Sequence, residues 1–234
     1  MHAFLDQAFV LHTMPYRESS AIVRLFSAQY GLMSGVVRGV YQHNRKAQQL
    51  RSALQLGSHL ECQWQGEGSL KNIIQCDLIA HAKINDSRQL VCLSYINELL
   101  LHFLPAEQKA EALYFAYPKL LASIAFDDDA ELSLRRFEQL LFEEMGCAID
   151  MLWDHANDKA VDERKQYCVS PEHGVVANDG FSQGLILKGR QLQLLADNDF
   201  TCLETRRLAK RVHRLIIDHH LAGRTLRARA LYKQ

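Results

Sequence analysis

No apolar run in this sequence reaches the roughly 18 residues that a membrane-crossing helix needs, because charges and glutamines interrupt every hydrophobic stretch first. The chain is therefore not expected to span or bind a membrane. Its six cysteines, Cys62, Cys76, Cys92, Cys147, Cys168 and Cys202, include no CxxC pair, and a chain of 234 residues does not need disulfides to hold its core. They are expected to be reduced and mostly buried as small hydrophobes. The opening residues, Met1 to Asp6, lack the basic region and apolar run of a secretory signal, which points to the cytoplasm. Enzymatic motifs are missing too: there is no GxxxxGK[ST], GxGxxG, GxSxG or HExxH, and no acidic pair at metal-binding spacing. Catalysis and a bound cofactor are accordingly not expected.

Net charge is also lacking, with 27 basic and 27 acidic residues, which taken alone argues against a nucleic-acid partner. The distribution says otherwise. Lys and Arg against Asp and Glu number seven to five over 1–80, four to eight over 81–131, five to ten over 132–180, and eleven to four over 181–234. Both ends are basic and the middle is acidic, as expected if two separate surfaces meet anions.

What is present is a change of period near residue 80. In His59-Leu-Glu-Cys-Gln-Trp-Gln65 the residues Leu60, Cys62 and Trp64 alternate with polar ones, the pattern of a half-buried strand. Shorter runs at Ala8–Thr13, Ser20–Ser27, Leu32–Tyr41 and Leu70–Ile79 are separated by turn-prone pieces such as Tyr30-Gly31 and Gly66-Glu-Gly68. Five strands with a helix-forming piece at Arg45–Ala53 suit a small closed barrel of OB type, an SH3-like barrel being the alternative.

Beyond Ala80 the period is helical. Asp86-Ser-Arg-Gln89, Asp128-Asp-Ala-Glu131 and Thr201-Cys-Leu-Glu204 have capping-box spacing and predict helices near 87–104, 129–146 and 202–221. The first is apolar on nearly all sides and should lie centrally. A further helix is expected over Ala106–Phe126 with an interruption or bend at Pro118, and another at Gly189–Ala196. Between about 147 and 188 prolines and glycines break the pattern, leaving strand-like pieces at Gln166–Val169 and Gly174–Ala177. The predicted architecture is α+β: an OB-fold barrel over 1–80, then a helical domain over 81–234 with a small irregular insertion and a basic tail.

Arg17, Arg24, Arg38, Arg45, Lys46, Arg51 and Lys71 recur across the barrel, interleaved with Tyr16, Tyr41 and Trp64. An OB barrel binds single strands by tracking phosphates with cations and stacking bases on aromatic rings. Trp64 shares a face with Leu60 and Cys62 and is read as core, whereas Tyr41 reads as more exposed. The second basic element is the last long helix, where Arg207, Lys210, Arg211 and Arg214 at i, i+3, i+4 and i+7 form one stripe beside the apolar Leu208, Val212 and Leu215. Such a border suits DNA phosphates or an acidic peptide with a hydrophobic end, unless the acidic middle of the chain neutralises the stripe internally. Cys147, His155, Cys168 and His173 fall near the insertion without the close pairing of a zinc ribbon or finger, so no metal is expected there. His219 and His220, about 100° apart on a helix, chelate poorly.

Ala8-Phe-Val-Leu-His-Thr13, Tyr16-Arg-Glu-Ser-Ser20 and Leu25-Phe-Ser27 with Gly31 resemble the opening of the bacterial RecO family. Tyr95-Ile-Asn-Glu-Leu-Leu100, Leu134-Arg-Arg-Phe-Glu138 with Gly146, and Gly189-Arg-Gln-Leu192 resemble its helical signatures, so the likeness covers nearly the whole chain in order. The resemblance implies a non-enzymatic recombination mediator in DNA repair, cytoplasmic and nucleoid-associated. It would bind single- and double-stranded DNA, anneal complementary strands, form a complex with RecR, contact the acidic, hydrophobic-ended C-terminal tail of single-stranded DNA-binding protein (SSB), and help load RecA onto SSB-coated DNA. By matching position it makes the barrel cations and Tyr41 DNA-binding candidates, and Arg135, Arg136, Arg207, Lys210, Arg211 and Arg214 candidates for DNA or the acidic tail.

Two departures stand out. Many family members hold zinc with four cysteines in the insertion, whereas this chain keeps only Cys168 within it and Cys147 at its edge. Val40-Tyr-Gln-His-Asn-Arg-Lys46 is less basic than the family pattern. A protein-interaction adaptor with incidental DNA affinity, and a metal-dependent nuclease, are the competing function classes.

Overall fold

The computed structural model describes residues 3–126, 129–180 and 183–231. Strands β1 (Phe4–Tyr16), β2 (Ser20–Ser27), β3 (Gly31–Val37), β4 (His59–Gln65) and β5 (Leu70–Ala80) close into a barrel of order β1-β2-β3-β5-β4, with α1 (Arg45–Ala53) between β3 and β4. This is the predicted OB-type barrel. It closes through a parallel pairing of Ser34–Val37 with Leu70–Ile73. Every second residue points inward, so Val10, Val23, Leu25, Met33, Leu60, Cys62 and Trp64 fill the interior. β3 stops at Val37 instead of running to Tyr41, because Gly39 (φ +76°) turns the chain out of the strand.

Two helices follow, α2 (Ser87–Phe103) and α3 (Glu111–Phe126). Asp86 caps α2 by accepting from the Gln89 N–H at 2.7 Å, and the Gln89 side chain reaches back to the Asn85 N–H at 2.7 Å. α3 starts five residues later than the sequence predicts. Ala106 bridges to Leu32, and the Glu107 N–H donates to the Leu32 carbonyl at 2.9 Å, so this stretch extends the barrel edge instead of coiling. Gly31 (φ +63°) permits that approach, since a Cβ there would lie 1.8 Å from the Gln108 carbonyl oxygen. Pro118 is inside α3. The helices cover part of the outer barrel wall: the Phe9 ring is 4.9 Å from that of Tyr117, and Phe26 is 5.5 Å from Tyr114. Asn97, 2% exposed, donates to the Leu11 carbonyl at 3.0 Å and accepts from the Tyr117 hydroxyl at 2.6 Å.

The rest of the chain is α4 (Ala130–Glu144), β6 (Trp153–Asp154), β7 (Lys159–Ala160), β8 (Gln166–Ser170), β9 (Gly174–Ala177), β10 (Leu185–Lys188), α5 (Gly189–Ala196), α6 (Leu203–Leu221) and the short α7 (Arg227–Leu231). The segment expected to be irregular is a five-stranded sheet of order β10-β8-β9-β6-β7. Its two predicted pieces are adjacent central strands, and three strands of two to four residues were too short to leave a periodic signal. Asp129 caps α4 through the Leu132 N–H; the predicted cap Asp128 and the end of the basic tail, from residue 232, lie outside the described residues. The predicted Thr201 cap of α6 is not used. Cys202 holds that position without a side-chain bond, and the Thr201 hydroxyl donates to Asp199.

The chain forms two compact units, Met1–Asp128 with Leu226–Gln234, and Asp129–Thr225. The barrel shares its unit with α2, α3 and α7, so this division falls later than the change of period near residue 80. Among the described residues no helix is long and apolar enough to cross a membrane.

Candidate nucleic-acid interface

The outer wall of β1, β2 and β3 is built by strand alternation and one irregularity. A register shift between Val10 and His12 changes which β1 side chains face outward. Beyond it, His12 lies opposite Arg24, Met14 opposite Ile22 and Tyr16 opposite Ser20, while Ser34 and Val36 of β3 continue the first two rows. Residues directly opposite share a face, and here it is the one turned away from the core residues Val23 and Leu25. Phe9, Leu11 and Phe26, toward the other end of the wall, are buried. Met14 is exposed, and Ile22, Arg24, Val36 and Tyr16 are half-buried.

Cations stand at both ends of this open wall. At one end Arg17, in the turn between β1 and β2 with φ +55°, places its guanidinium 5.1 Å from the centroid of the Tyr16 ring, and exposed Arg38 follows the last residue of β3. At the other end are Arg24 and His12. Burial lowers the pKa of Arg24, and its Nε is buried without a hydrogen-bond partner. The His12 pKa is lowered by burial and then by the neighbouring Arg24 and Arg227, against a raising influence of Glu98. Between the ends lie the apolar Met14, Ile22 and Val36. Cations flanking apolar surface are what a single strand requires, phosphates meeting charge and bases meeting carbon.

The other barrel candidates are placed differently. Arg45 and Lys46 are exposed in the first turn of α1. Arg51 donates to the Val40 and Gln42 carbonyls at 2.7 and 3.3 Å and so holds the β3–α1 loop. Tyr41 is half-buried against the barrel core. Lys71 is buried in an ion pair with Glu107 at 2.8 Å. Trp64, 2% exposed, packs against Phe4 and Tyr30.

In the second unit the cations of α4 and α6 are largely matched. Arg135 and His213, both buried, converge on one oxygen of the fully buried Glu138 at 2.7 and 2.8 Å. Arg206 meets Asp129 at 2.6 Å and the Phe200 carbonyl at 3.0 Å. Lys210 pairs with Glu131 at 3.0 Å and Arg214 with Asp218 at 3.5 Å. Arg207, Arg211 and Arg136 are exposed, and no carboxylate among the described residues pairs with Arg207 or Arg211. The acidic middle of the chain therefore neutralises part of the stripe. Beside α6 is a cavity of about 220 Å³ with a mixed lining, apolar at Ile149, Met151, Leu195, Phe200, Val212 and Ile216 and polar at Gln139, Asp150, Asn198 and His213.

Among the described residues no group of three or more His, Cys, Asp or Glu is placed to hold a metal ion. Cys168 is buried, Cys147 half-buried, and His155 and His173 are exposed. All six cysteines are free, and three of them, Cys76, Cys147 and Cys202, are half-buried instead of buried. The His219 and His220 rings are 6.2 Å apart, and Nδ1 of His219 is 3.7 Å from Glu172.

Sequence reasoning missed His12, Met14, Ile22 and Arg227. The register shift in β1 hid the alternation of His12 and Met14, Ile22 sits in an almost wholly apolar run of β2, and Arg227 is remote in sequence. It also missed Arg206, Glu138 and His213, which pair across elements.

Two family models match the chain: Recombination protein O N terminal over residues 1–82, and Recombination protein O C terminal over residues 84–230. Proteins named DNA repair protein RecO are similar along nearly their full length. That of Aromatoleum aromaticum is 34% identical over 98% of this chain and 96% of its own. That of Marinobacter nauticus is 34% identical over 97% and 93%, and that of Aliivibrio fischeri 31% identical over 99% and 96%.

Proposed function

The chain belongs to the RecO family of DNA repair proteins, and from that premise we propose that it is a non-catalytic recombination mediator. It binds single- and double-stranded DNA, anneals complementary strands and, with RecR, helps load RecA onto SSB-coated single strands in the cytoplasm, at the nucleoid. The observation that carries the DNA-binding part is the β1–β2–β3 wall, with Arg17 and Arg38 at one end, Arg24 at the other and Met14, Ile22 and Val36 between them. The mechanism is electrostatic: cations screen the repulsion between two phosphate backbones and hold strands close enough to pair, with no bond made or broken. Contact with the SSB tail is supported by the exposed Arg207 and Arg211 of α6, which suit an acidic peptide, and by the cavity of mixed polar and apolar lining beside that helix, whose Leu195, Phe200 and Ile216 suit an apolar end. The RecR complex and RecA loading rest on family membership.

The test is fluorescence anisotropy of a labelled oligothymidylate, and separately of an acidic peptide with a hydrophobic carboxyl end, over a salt series. Both are expected to bind, with affinity falling steeply as salt rises. Replacing Arg17 and Arg38 together by Ala should weaken DNA and spare the peptide, whereas Arg211→Ala should do the reverse. DNA binding that ignores salt would refute the electrostatic mechanism.

A further inference from the structure

The end of the chain returns to the barrel unit and is fixed there. Leu226 and Ala228 are 2% exposed, and the Glu98 carboxylate of α2 accepts the Arg227 N–H at 3.1 Å on one oxygen and the Ala228 N–H at 2.9 Å on the other. This places exposed Arg227 beside the end of the β1–β2 wall where His12 and Arg24 face each other. The charged groups around His12 come one from each packed element: Arg24 from β2, Glu98 from α2 and Arg227 from α7. Glu98 is the one carboxylate among them, and both its oxygens are engaged by backbone amides. Arg24 Nε, buried, has no acceptor. Two guanidiniums thus lie in the electrostatic neighbourhood of the His12 imidazole, and among the described residues no carboxylate is bonded to either guanidinium side chain.

We propose that Arg24, Arg227 and His12 form a phosphate-binding subsite that holds one backbone phosphate of a strand lying on the β1–β2 wall. The carboxyl-terminal segment is then part of the DNA surface, although Arg227 is about 200 residues from the barrel strands it serves. The inference rests on the DNA-binding reading above and adds to it a location and three named contacts. Guanidiniums suit the role because their planar donor forks match phosphate oxygens, and Arg24, whose buried Nε has no partner, is not already tied to an acceptor at that atom. Glu98 acts as a positioning residue: it seats α7, and with it Arg227. A phosphate also cancels the repulsion that Arg24 and Arg227 exert on protonated His12, so binding takes up a proton and strengthens as pH falls through the imidazole range.

The experiment uses the full chain, an oligothymidylate and, in a parallel arm, inorganic phosphate. Affinities are read by anisotropy, and the His12 titration is followed by NMR. Arg227→Gln, on an exposed side chain, leaves Leu226 and Ala228 to seat the segment, and Arg24→Gln is the second variant. Each is expected to weaken oligothymidylate binding by about tenfold, as for loss of one charge-assisted contact, and to flatten the salt slope by about 0.7, the value for one single-strand phosphate. In the unchanged protein the His12 midpoint should rise on binding DNA, and in Arg227→Gln that rise should shrink. If the unchanged protein binds DNA in a salt-sensitive manner but both variants match it and His12 does not move, the subsite is wrong and the DNA-binding reading survives. If inorganic phosphate moves His12 and oligothymidylate does not, the site serves a free anion and its role in holding a strand is overturned. No DNA binding at all by the unchanged protein overturns both.

Discussion

The two units fasten helices with opposite chemistry. In the first, α2 and α3 are joined to the barrel by neutral groups: Asn97 to the Leu11 carbonyl, the Tyr117 hydroxyl to Asn97, and the Tyr114 hydroxyl to His59 at 3.2 Å. In the second, α4 and α6 are joined by charges, with His213 on Glu138, which Arg135 of the same helix also pairs, Arg206 on Asp129 and Lys210 on Glu131. The first unit therefore leaves Arg17, Arg24 and Arg38 without carboxylate partners among the described residues, whereas the second uses much of its positive charge inside itself. A count of cations does not distinguish these arrangements. What distinguishes them is whether a carboxylate comes from a neighbouring element, as it does three times across the α4–α6 pair.

The contrast can be broken most directly at Glu138. Glu138→Ala leaves the buried Arg135 guanidinium uncompensated and should cost about 3–5 kcal/mol in urea unfolding of the full chain; a loss below about 1 kcal/mol would mean that the ionic fastening is not structural. Its neutral counterpart, Asn97→Leu, leaves the Leu11 carbonyl unpaired and should cost about 1–3 kcal/mol by the same measurement.

The first unit should also be sensitive to alkali through its buried phenols. Burial pushes the Tyr114 phenol up to about 12 and the Tyr117 phenol up as well. With an unfolded-state value near 10, the unfolded chain releases these protons first, so their contribution to stability is complete below about pH 10 and is lost as pH rises toward 12. Thermal melts between pH 9 and 12 should show the decline, and Tyr114→Phe should reduce it. The smallest effect is expected at Lys210, whose exposed pair with Glu131 contributes about 0–1 kcal/mol. Lys210→Ala should barely move the melting temperature, and a large shift would mean that exposed pairs of α6 matter as much as the buried Glu138 cluster.

The barrel was legible because its strands alternate cleanly: Leu60, Cys62 and Trp64 face inward as the pattern requires. The predicted helices were found because 3.6-residue periodicity is a local signal, joined at α2 by the Asp86 cap. The late start of α3 was not legible, since it depends on Leu32 pairing with Ala106 across the fold. Nor was the five-stranded sheet, whose outer strands are two to four residues long and gain order only from their neighbours.

For the candidate interface, the sequence supplied Arg17, Arg24 and Arg38 but grouped them with Arg51 and Lys71, which bind carbonyls and Glu107 within the protein. Side-chain type sets which contacts are available; the neighbouring element determines which one forms.

The sequence by itself determined the order of the barrel strands and of the longer helices, the inward residues of the barrel, the basic stripe of α6 and the family likeness, because each is written in residues close together along the chain. Only the tertiary structure decided which cations remain open. A salt bridge or an unpartnered guanidinium is a relation between elements tens or hundreds of residues apart. The nearness of Arg227 to His12 arises from burial of Leu226 and Ala228 and from the two amides held by Glu98, contacts that exist only once the chain has folded back on itself.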